Sequence, residues 1–83
     1  MGRKLLIVGE TRAERDSVIR FLAEHGCDAA PESETRAVIE DCDRAGPGLS
    51  TIVALVEEWR CAAHVGEVAL ELGERRTILR TEA

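Results

Sequence analysis

The sequence is poor in aromatic residues and lacks a C-x-x-C pair. Phe21 and Trp59 are its only aromatic residues among 83, and tyrosine is absent, so a surface that stacks nucleobases on aromatic rings is not expected. The three cysteines form no C-x-x-C pair, which favours reduced thiols over a disulfide scaffold. The sequence therefore predicts neither a base-stacking protein nor a small disulfide-rich secreted domain.

Long hydrophobic runs and excess positive charge are also missing. Apolar runs such as Leu5-Leu6-Ile7-Val8 are too short for a membrane-spanning helix or the core of a signal peptide. Sixteen acidic residues against eleven basic ones give a net charge of −5, which is opposite in sign to the charge that phosphate backbones and anionic lipids attract. We expect a cytoplasmic protein that binds neither nucleic acid nor membrane.

The length and the large apolar side chains predict one folded domain. Leu, Ile, Val and Phe account for 21 of the 83 residues, which is enough for a folded chain despite 33% charged residues. A chain of this size has no room for a second core. Residues 1–83 are therefore predicted to form a single small domain.

The first half of the chain predicts a strand, a helix, a short strand and a second helix. Leu5–Val8 is typical of a central strand covered on both faces. Thr11 and Glu14 have the spacing of a capping box, which predicts a helix over 12–25 that ends at Gly26. Residues 27–30 suit a short strand parallel to the first. Ser33 is predicted to cap a helix of about ten residues with a narrow apolar stripe, made of Val38, Ile39, Cys42 and Ala45.

The second half predicts a buried helix and a hairpin. Gly46-Pro47-Gly48 interrupts the chain, and Ser50 is predicted to cap a third helix. This helix carries apolar residues on more than one side and points Glu57, Glu58 and Arg60 outward, and its apolar set is Ile52, Val53, Leu55, Val56, Trp59 and Ala63. Residues 67–81 alternate with a period of two, which predicts a hairpin with a two-residue turn at Gly73-Glu74.

Charge pairing supports this hairpin register. A two-residue turn sets Glu71 opposite Arg76 and Glu67 opposite Arg80 on one face. The predicted fold is therefore an α+β (or α/β) sandwich of order β-α-β-α-α-β-β. Its mixed sheet ends in a C-terminal hairpin, and its helices lie chiefly on one face.

No motif in the chain indicates catalysis or a bound cofactor. Gly9-Glu10-Thr11 follows a strand and opens a helix, but no glycine-rich phosphate motif is present and Glu10 repels anions. His25 and Cys27, with Cys61 and His64, supply the ligand types of a tetrahedral zinc site or a thiol centre. The simpler interpretation is that the cysteines act as small hydrophobic residues and that the histidines interact favourably with the dipoles at helix C-termini. We therefore predict a protein without enzyme activity and keep the metal or thiol site as the alternative.

A partner-binding surface is predicted at the last strand. A small sheet leaves at least one open edge, and Thr77, Ile78, Leu79 and Arg80 form the strand that is expected there. Ala69 lies on the same face as Ile78 in the predicted register. This surface suits a protein partner or a second copy of the chain, with a homodimer formed by edge-to-edge pairing of this strand. The opposing interpretation is that the arginines of this strand only prevent unwanted strand pairing at the edge and that no partner binds there.

The N-terminal half resembles a response-regulator receiver domain. The resemblance rests on Lys4-Leu5-Leu6-Ile7-Val8 and on the spacing of Arg15, Val18, Leu22, Gly26 and Ala30. Of the acidic residues that receivers place after the first strand to hold magnesium, only Glu10 matches, and no strand ending in a phosphoacceptor aspartate follows. The resemblance therefore implies a degenerate receiver-like domain without phosphorelay chemistry.

The C-terminal half resembles the effector-associated constant component family of bacterial conflict systems. The matching features are the glycine-proline break at 46–49, the helix over 52–59 that ends in Trp59, and the closing hairpin at 68–79. This resemblance implies a non-enzymatic bacterial adaptor or regulatory component encoded beside effector proteases and signalling proteins. One of those proteins would then be the partner.

Overall fold

The chain folds into two helices packed on an antiparallel sheet. The computed structural model describes residues 3–40 and 48–81. In chain order the elements are β1 (Leu5–Val8), α1 (Arg12–Glu24), β2 (Ala30–Pro31), β3 (Arg36–Ile39), α2 (Leu49–Ala62), β4 (Glu67–Leu72) and β5 (Arg75–Arg80). The five strands lie in the order β2-β3-β1-β4-β5, and every neighbouring pair is antiparallel. β1 is therefore the central strand, as its sequence predicts.

Local sequence signals determine where α1 begins and ends. The backbone N–H of Glu14 donates to Thr11 Oγ1 at 3.1 Å, and the Glu14 carboxylate accepts from the Glu10 N–H at 3.0 Å. Both halves of the predicted capping interaction are present, with Glu10 rather than Thr11 as the second donor. Gly26 has a φ of 79°, the left-handed conformation that ends helices without steric cost. The predicted helix over 12–25 is confirmed to within one residue.

The core lies between the two helices and one face of the sheet, which we call the helix face. Alternate strand residues are buried there under α1 and α2, beginning with Leu5 and Ile7 on β1. The other members of this cluster are Val18, Leu22, Cys27, Ala37, Ile39, Ile52, Val56, Trp59, Val68 and Leu70. Strand alternation turns Leu6 and Val8 to the opposite face, where both are only half-buried. The prediction that β1 is covered on both faces is wrong, because both helices pack on the same side.

The α+β class and the C-terminal hairpin are confirmed. β4 and β5 pair in the predicted register, with Glu71 opposite Arg76 and Glu67 opposite Arg80. Gly73, at φ 62°, occupies the first of the two turn positions, which requires glycine in a type II′ turn. Glu71 and Arg76 form a salt bridge at 3.8 Å.

Two predictions for the first half of the chain are wrong: the second helix, and the direct parallel pairing of the second strand with the first. Arg36–Ile39 forms β3 rather than part of a helix, since the N–H groups of Glu32 and Ser33 both donate to the Arg36 carbonyl and close a tight turn. β3 thus returns antiparallel to β2 and lies between β2 and β1. β2 runs in the same direction as β1 but is not its neighbour. The remainder of the predicted second helix, including Cys42 and Ala45, lies outside the described residues.

The third predicted helix is α2, with two corrections at its ends. Gly48 is the N-cap residue, with no side-chain capping bond, and Ser50 lies inside the helix. Arg60, predicted to point outward, is only 4% exposed. Its guanidinium is buried because several acceptors at the C-terminal end of α2 surround it, as described below.

Candidate interaction surface

The sheet face away from the helices, which we call the open face, is a mixture of apolar and charged residues. Across its middle, Val8 lies beside Ala69, and Ala69 lies beside Ile78. Ile78 is 47% exposed, whereas Ala69 is 5% exposed beneath its neighbours. Among the residues that the structure describes, Ile78 is the only large apolar residue with this much exposure. The open face therefore presents one prominent apolar side chain on a shallow apolar floor.

The edge of the sheet at β5 leaves backbone groups without strand partners. The Thr81 N–H donates to the Gly66 carbonyl at 3.1 Å, which identifies residues 66 and 81 as a hydrogen-bonded pair. Because hydrogen-bonded and non-hydrogen-bonded pairs alternate along an antiparallel ladder, Arg75, Thr77 and Leu79 bond to β4. The N–H and C=O groups of Arg76, Ile78 and Arg80 therefore point away from the sheet. Their side chains stand on the open face, so backbone and side chains of three residues are presented together.

The edge at β5 is also strongly basic for an acidic chain. Arg75, Arg76 and Arg80 lie within six residues, whereas the whole chain carries −5. Arg76 pairs with Glu71, but in the described part of the chain neither Arg75 nor Arg80 forms a salt bridge. Arg80 lies opposite Glu67 without closing that pair. The edge therefore retains positive charge that the fold itself does not neutralise.

The opposite edge of the sheet is closed by its sequence. β2 has only two residues, and the second is Pro31, which has no N–H to donate. Short strands and proline are common means of preventing further strand pairing. The two edges therefore differ, and β5 is the edge that is able to accept another strand.

A groove of about 300 Å³ lies at the other end of the open face. Leu6 and Val38 form its apolar floor, and Lys4, Glu32, Glu40, Glu71 and Gly73 also line it. Lys4 and Glu40 form a salt bridge at 3.7 Å. The open face thus changes from an acidic groove near β3 and β1 to a basic edge at β5.

The residues predicted to bind a partner occupy three different environments. Ile78 and Arg80 are exposed on the open face, and Ala69 forms part of the floor beside Ile78. Thr77 is exposed on the helix face, and Leu79 packs against the core there. Arg76 belongs with Ile78 and Arg80 but was absent from the predicted set. Strand alternation in the predicted register places Arg76 on this face, so alternation is the sequence signal that could have identified it.

The four residues of the alternative metal or thiol site do not form a ligand cluster. Within residues 3–40 and 48–81, no group of three or more His, Cys, Asp and Glu side chains is placed to hold a metal ion. Cys27 is buried, and burial, assisted by the charge of Asp28, raises the pKa of its thiol. His25 stacks on Phe21 with ring centroids 4.4 Å apart, and its Nδ1 lies 2.9 Å from the Phe21 carbonyl. Cys61 and His64 are exposed.

The N-terminus of α1 is occupied by the protein's own carboxylate. The Glu14 side chain accepts the hydrogen bond from the Glu10 N–H, a group that would otherwise face an incoming anion. A Cβ atom on Gly9 would lie 3.1 Å from Glu14 Oε1, so this turn is filled closely by Glu14. The arrangement is that of a helix cap and not of a phosphate site.

Arg60 joins the end of α2 to the ends of β4 and β5. Its guanidinium donates to both carboxylate oxygens of Glu57, at 2.9 and 2.5 Å, to the Val65 carbonyl at 3.0 Å and to Thr81 Oγ1 at 2.9 Å. The hydrogen bonds from Arg60 hold the pKa of the Glu57 carboxyl below its usual value. Sequence periodicity missed this role because it treats every arginine as a surface residue.

The fold and the surface define a small α+β domain with one closed and one open sheet edge. Neither of the two described helices is long and apolar enough to cross a membrane. Comparisons with family models, curated proteins and solved structures find no match for this chain.

Proposed function

We propose that the protein is a non-enzymatic, cytoplasmic interaction module that acts as an adaptor or regulatory component by adding a strand of a protein partner to β5. The observation that carries this proposal is the outward backbone of Arg76, Ile78 and Arg80, which coincides with the exposed Ile78 side chain. Addition of a strand to an exposed sheet edge is a recurring mode of peptide recognition, in which main-chain hydrogen bonds supply affinity.

The resemblance to the effector-associated constant component family supports the same proposal. Its members are adaptors, and the features that carry the resemblance include the β4–β5 hairpin that forms the open edge. On this basis the partner is an effector protease or a signalling protein encoded nearby. A degenerate receiver-like domain that kept only an interaction surface is a related alternative, since β1 and α1 carry the receiver resemblance.

Site-specific crosslinking in the native host tests the proposal. A photoreactive amino acid at position 78 is expected to crosslink a discrete protein partner on illumination. The same amino acid at position 20, an exposed arginine on α1, provides the matched control on the far side of the molecule. Equal crosslinking from positions 78 and 20, or none from position 78, would contradict a role for β5.

The alternative predicted from the sequence is a metal-binding or thiol-active protein that uses Cys27, Cys61, His25 and His64, four described residues that the structure does not bring together as a ligand cluster. Elemental analysis of protein purified without chelator, combined with thiol titration, separates the two proposals. Stoichiometric zinc that is lost on replacing Cys27 and Cys61 would favour the metal site. Three titratable thiols without metal would favour the adaptor, with Cys27 reacting only slowly because it is buried and its pKa is raised.

A further inference from the structure

We propose that the strand added to β5 is an acidic extended segment of a partner protein, with carboxylates at two positions four residues apart and an apolar residue midway between them. This inference rests on the proposed function and specifies the chemistry of the partner. It follows from the side chains of β5 that lie beside its free edge and from the residues of β4, the strand that is already paired with β5.

β4 shows which side chains suit a neighbour of β5. Across the observed ladder, Glu67, Ala69 and Glu71 lie opposite Arg80, Ile78 and Arg76. The arginines flank the apolar residue at spacings of two, so an antiparallel neighbour with acidic, apolar and acidic residues at alternate positions complements all three. A strand on the free edge meets the same row of side chains and the same face, and opposite charges across neighbouring strands are stabilising.

The carboxylates of β4 leave much of the positive charge on β5 unpaired, so it is available to a strand on the free edge. Arg80 forms no salt bridge within the described residues, and the Arg76–Glu71 contact is long at 3.8 Å. Ile78 is 47% exposed even with β4 in place. An incoming strand would supply a carboxylate near each arginine and cover the remaining surface of Ile78.

A second copy of the chain fits this edge less well. Pairing β5 with its own copy brings two open-face arginines from each strand, Arg76 and Arg80, onto the same face of the extended sheet. With Ile78 opposite its own copy, Arg76 faces Arg80 twice, and like charges directly opposite are destabilising. Charge complementarity therefore favours an acidic strand over the homodimer.

Synthetic peptides test the acidic preference. The probe is an acetylated and amidated heptapeptide, Thr-Glu-Thr-Val-Thr-Glu-Thr, and its control carries glutamine in place of both glutamates. We expect the acidic peptide to shift the amide resonances of Arg76, Ile78 and Arg80 and to bind roughly tenfold more tightly than the glutamine peptide, with the difference reduced at high salt. Arg80→Gln is expected to remove most of this difference, while Arg20→Gln, the same charge change on α1, leaves it intact.

Backbone methylation tests whether the peptide binds as a strand. In the proposed register, the N–H groups of the central valine and of both glutamates point toward β5, whereas those of the intervening threonines point away. Methylating the valine nitrogen is therefore expected to abolish binding, and methylating the next threonine nitrogen is expected to be tolerated. Equal loss from both methylations would overturn strand addition.

The remaining outcomes distinguish failure of this inference from failure of the proposed function. Equal binding of the acidic and glutamine peptides at β5 would overturn the acidic preference but leave strand addition standing. Absence of peptide binding together with a solution mass of twice 9.1 kDa, reduced to one copy by Ile78→Lys, would identify a second copy as the occupant and overturn the acidic partner. A protein that stays monomeric and binds neither peptide would overturn both proposals.

Discussion

The two faces of the sheet are built from the same alternating strands but have different roles. On the helix face, Ile7 and Leu70 are almost completely buried under the two helices. On the open face, Leu6 and Val8 are half-buried, and long charged side chains surround the apolar floor. The comparison teaches that stability is concentrated on one face. The other face is free to carry charge and an exposed isoleucine without loss of the fold.

The largest difference is expected between two neighbouring residues of β1. Ile7→Ala leaves a cavity in the helix-face core and is expected to cost about 2–5 kcal/mol of unfolding free energy. Leu6→Ala removes a side chain that is already partly solvated and is expected to cost less than half as much. Urea denaturation of both variants measures the difference. Equal costs would show that the open face is as tightly packed as the helix face.

Arg60→Met tests how much the buried hydrogen-bond network of Arg60, at the end of α2, contributes to stability. The substitution removes the donor to Val65, Thr81 and Glu57 and the charge that pairs with the Glu57 carboxylate, so the melting temperature is expected to fall by roughly 5–10 °C. Arg60→Lys keeps the charge but lacks the planar fork of donors and is expected to restore only part of the loss. A variant with methionine that melts no lower than the wild type would show that the network adds no stability.

Acid should weaken the same network through Glu57. Its folded-state pKa lies below its usual value because Arg60 donates to the carboxylate. The stabilisation is therefore present above the unfolded-state pKa and is lost as the pH falls through the folded-state pKa. The stability difference between wild type and Glu57→Gln is expected to be largest near neutral pH and to shrink as the pH falls below the usual titration range of glutamate. A difference that stays constant with pH would contradict this assignment.

Ile78→Lys is expected to have the smallest effect on stability. Its side chain is 47% exposed on an edge strand, so the free energy of unfolding should change by no more than about 0.5 kcal/mol. Denaturation of the monomer measures this directly. A large loss would mean that Ile78 belongs to the core, and the variant could then no longer serve as a clean test of binding.

Sequence patterns predicted the fold where a short-range signal was strong. The capping residues Thr11 and Glu14 located α1, and alternating charge on 67–80 predicted the hairpin to the residue. The same approach failed for β3, because the four-residue run Arg36–Ile39 is too short for periodicity to separate strand from helix. The strand is selected by pairing with β1, which is a contact between residues distant in sequence.

The candidate surface was only partly predictable for a related reason. Alternation placed Ile78, Ala69 and the paired charges on one face, but the exposure of that face depends on where both helices pack. The buried position of Arg60 likewise requires acceptors brought together from α2, the loop after it and the end of β5. Periodicity along one helix carries no information about such partners.

Amide hydrogen exchange along β5 tests the central claim most directly. In the free protein at low concentration, the amides of Arg76, Ile78 and Arg80 are expected to exchange rapidly, whereas those of Thr77 and Leu79 are protected by their bonds to β4. Saturation with the acidic heptapeptide is expected to slow the first three amides and leave the other two unchanged. Protection of the Ile78 amide in the free monomer, or its rapid exchange in the presence of saturating peptide, would contradict the account.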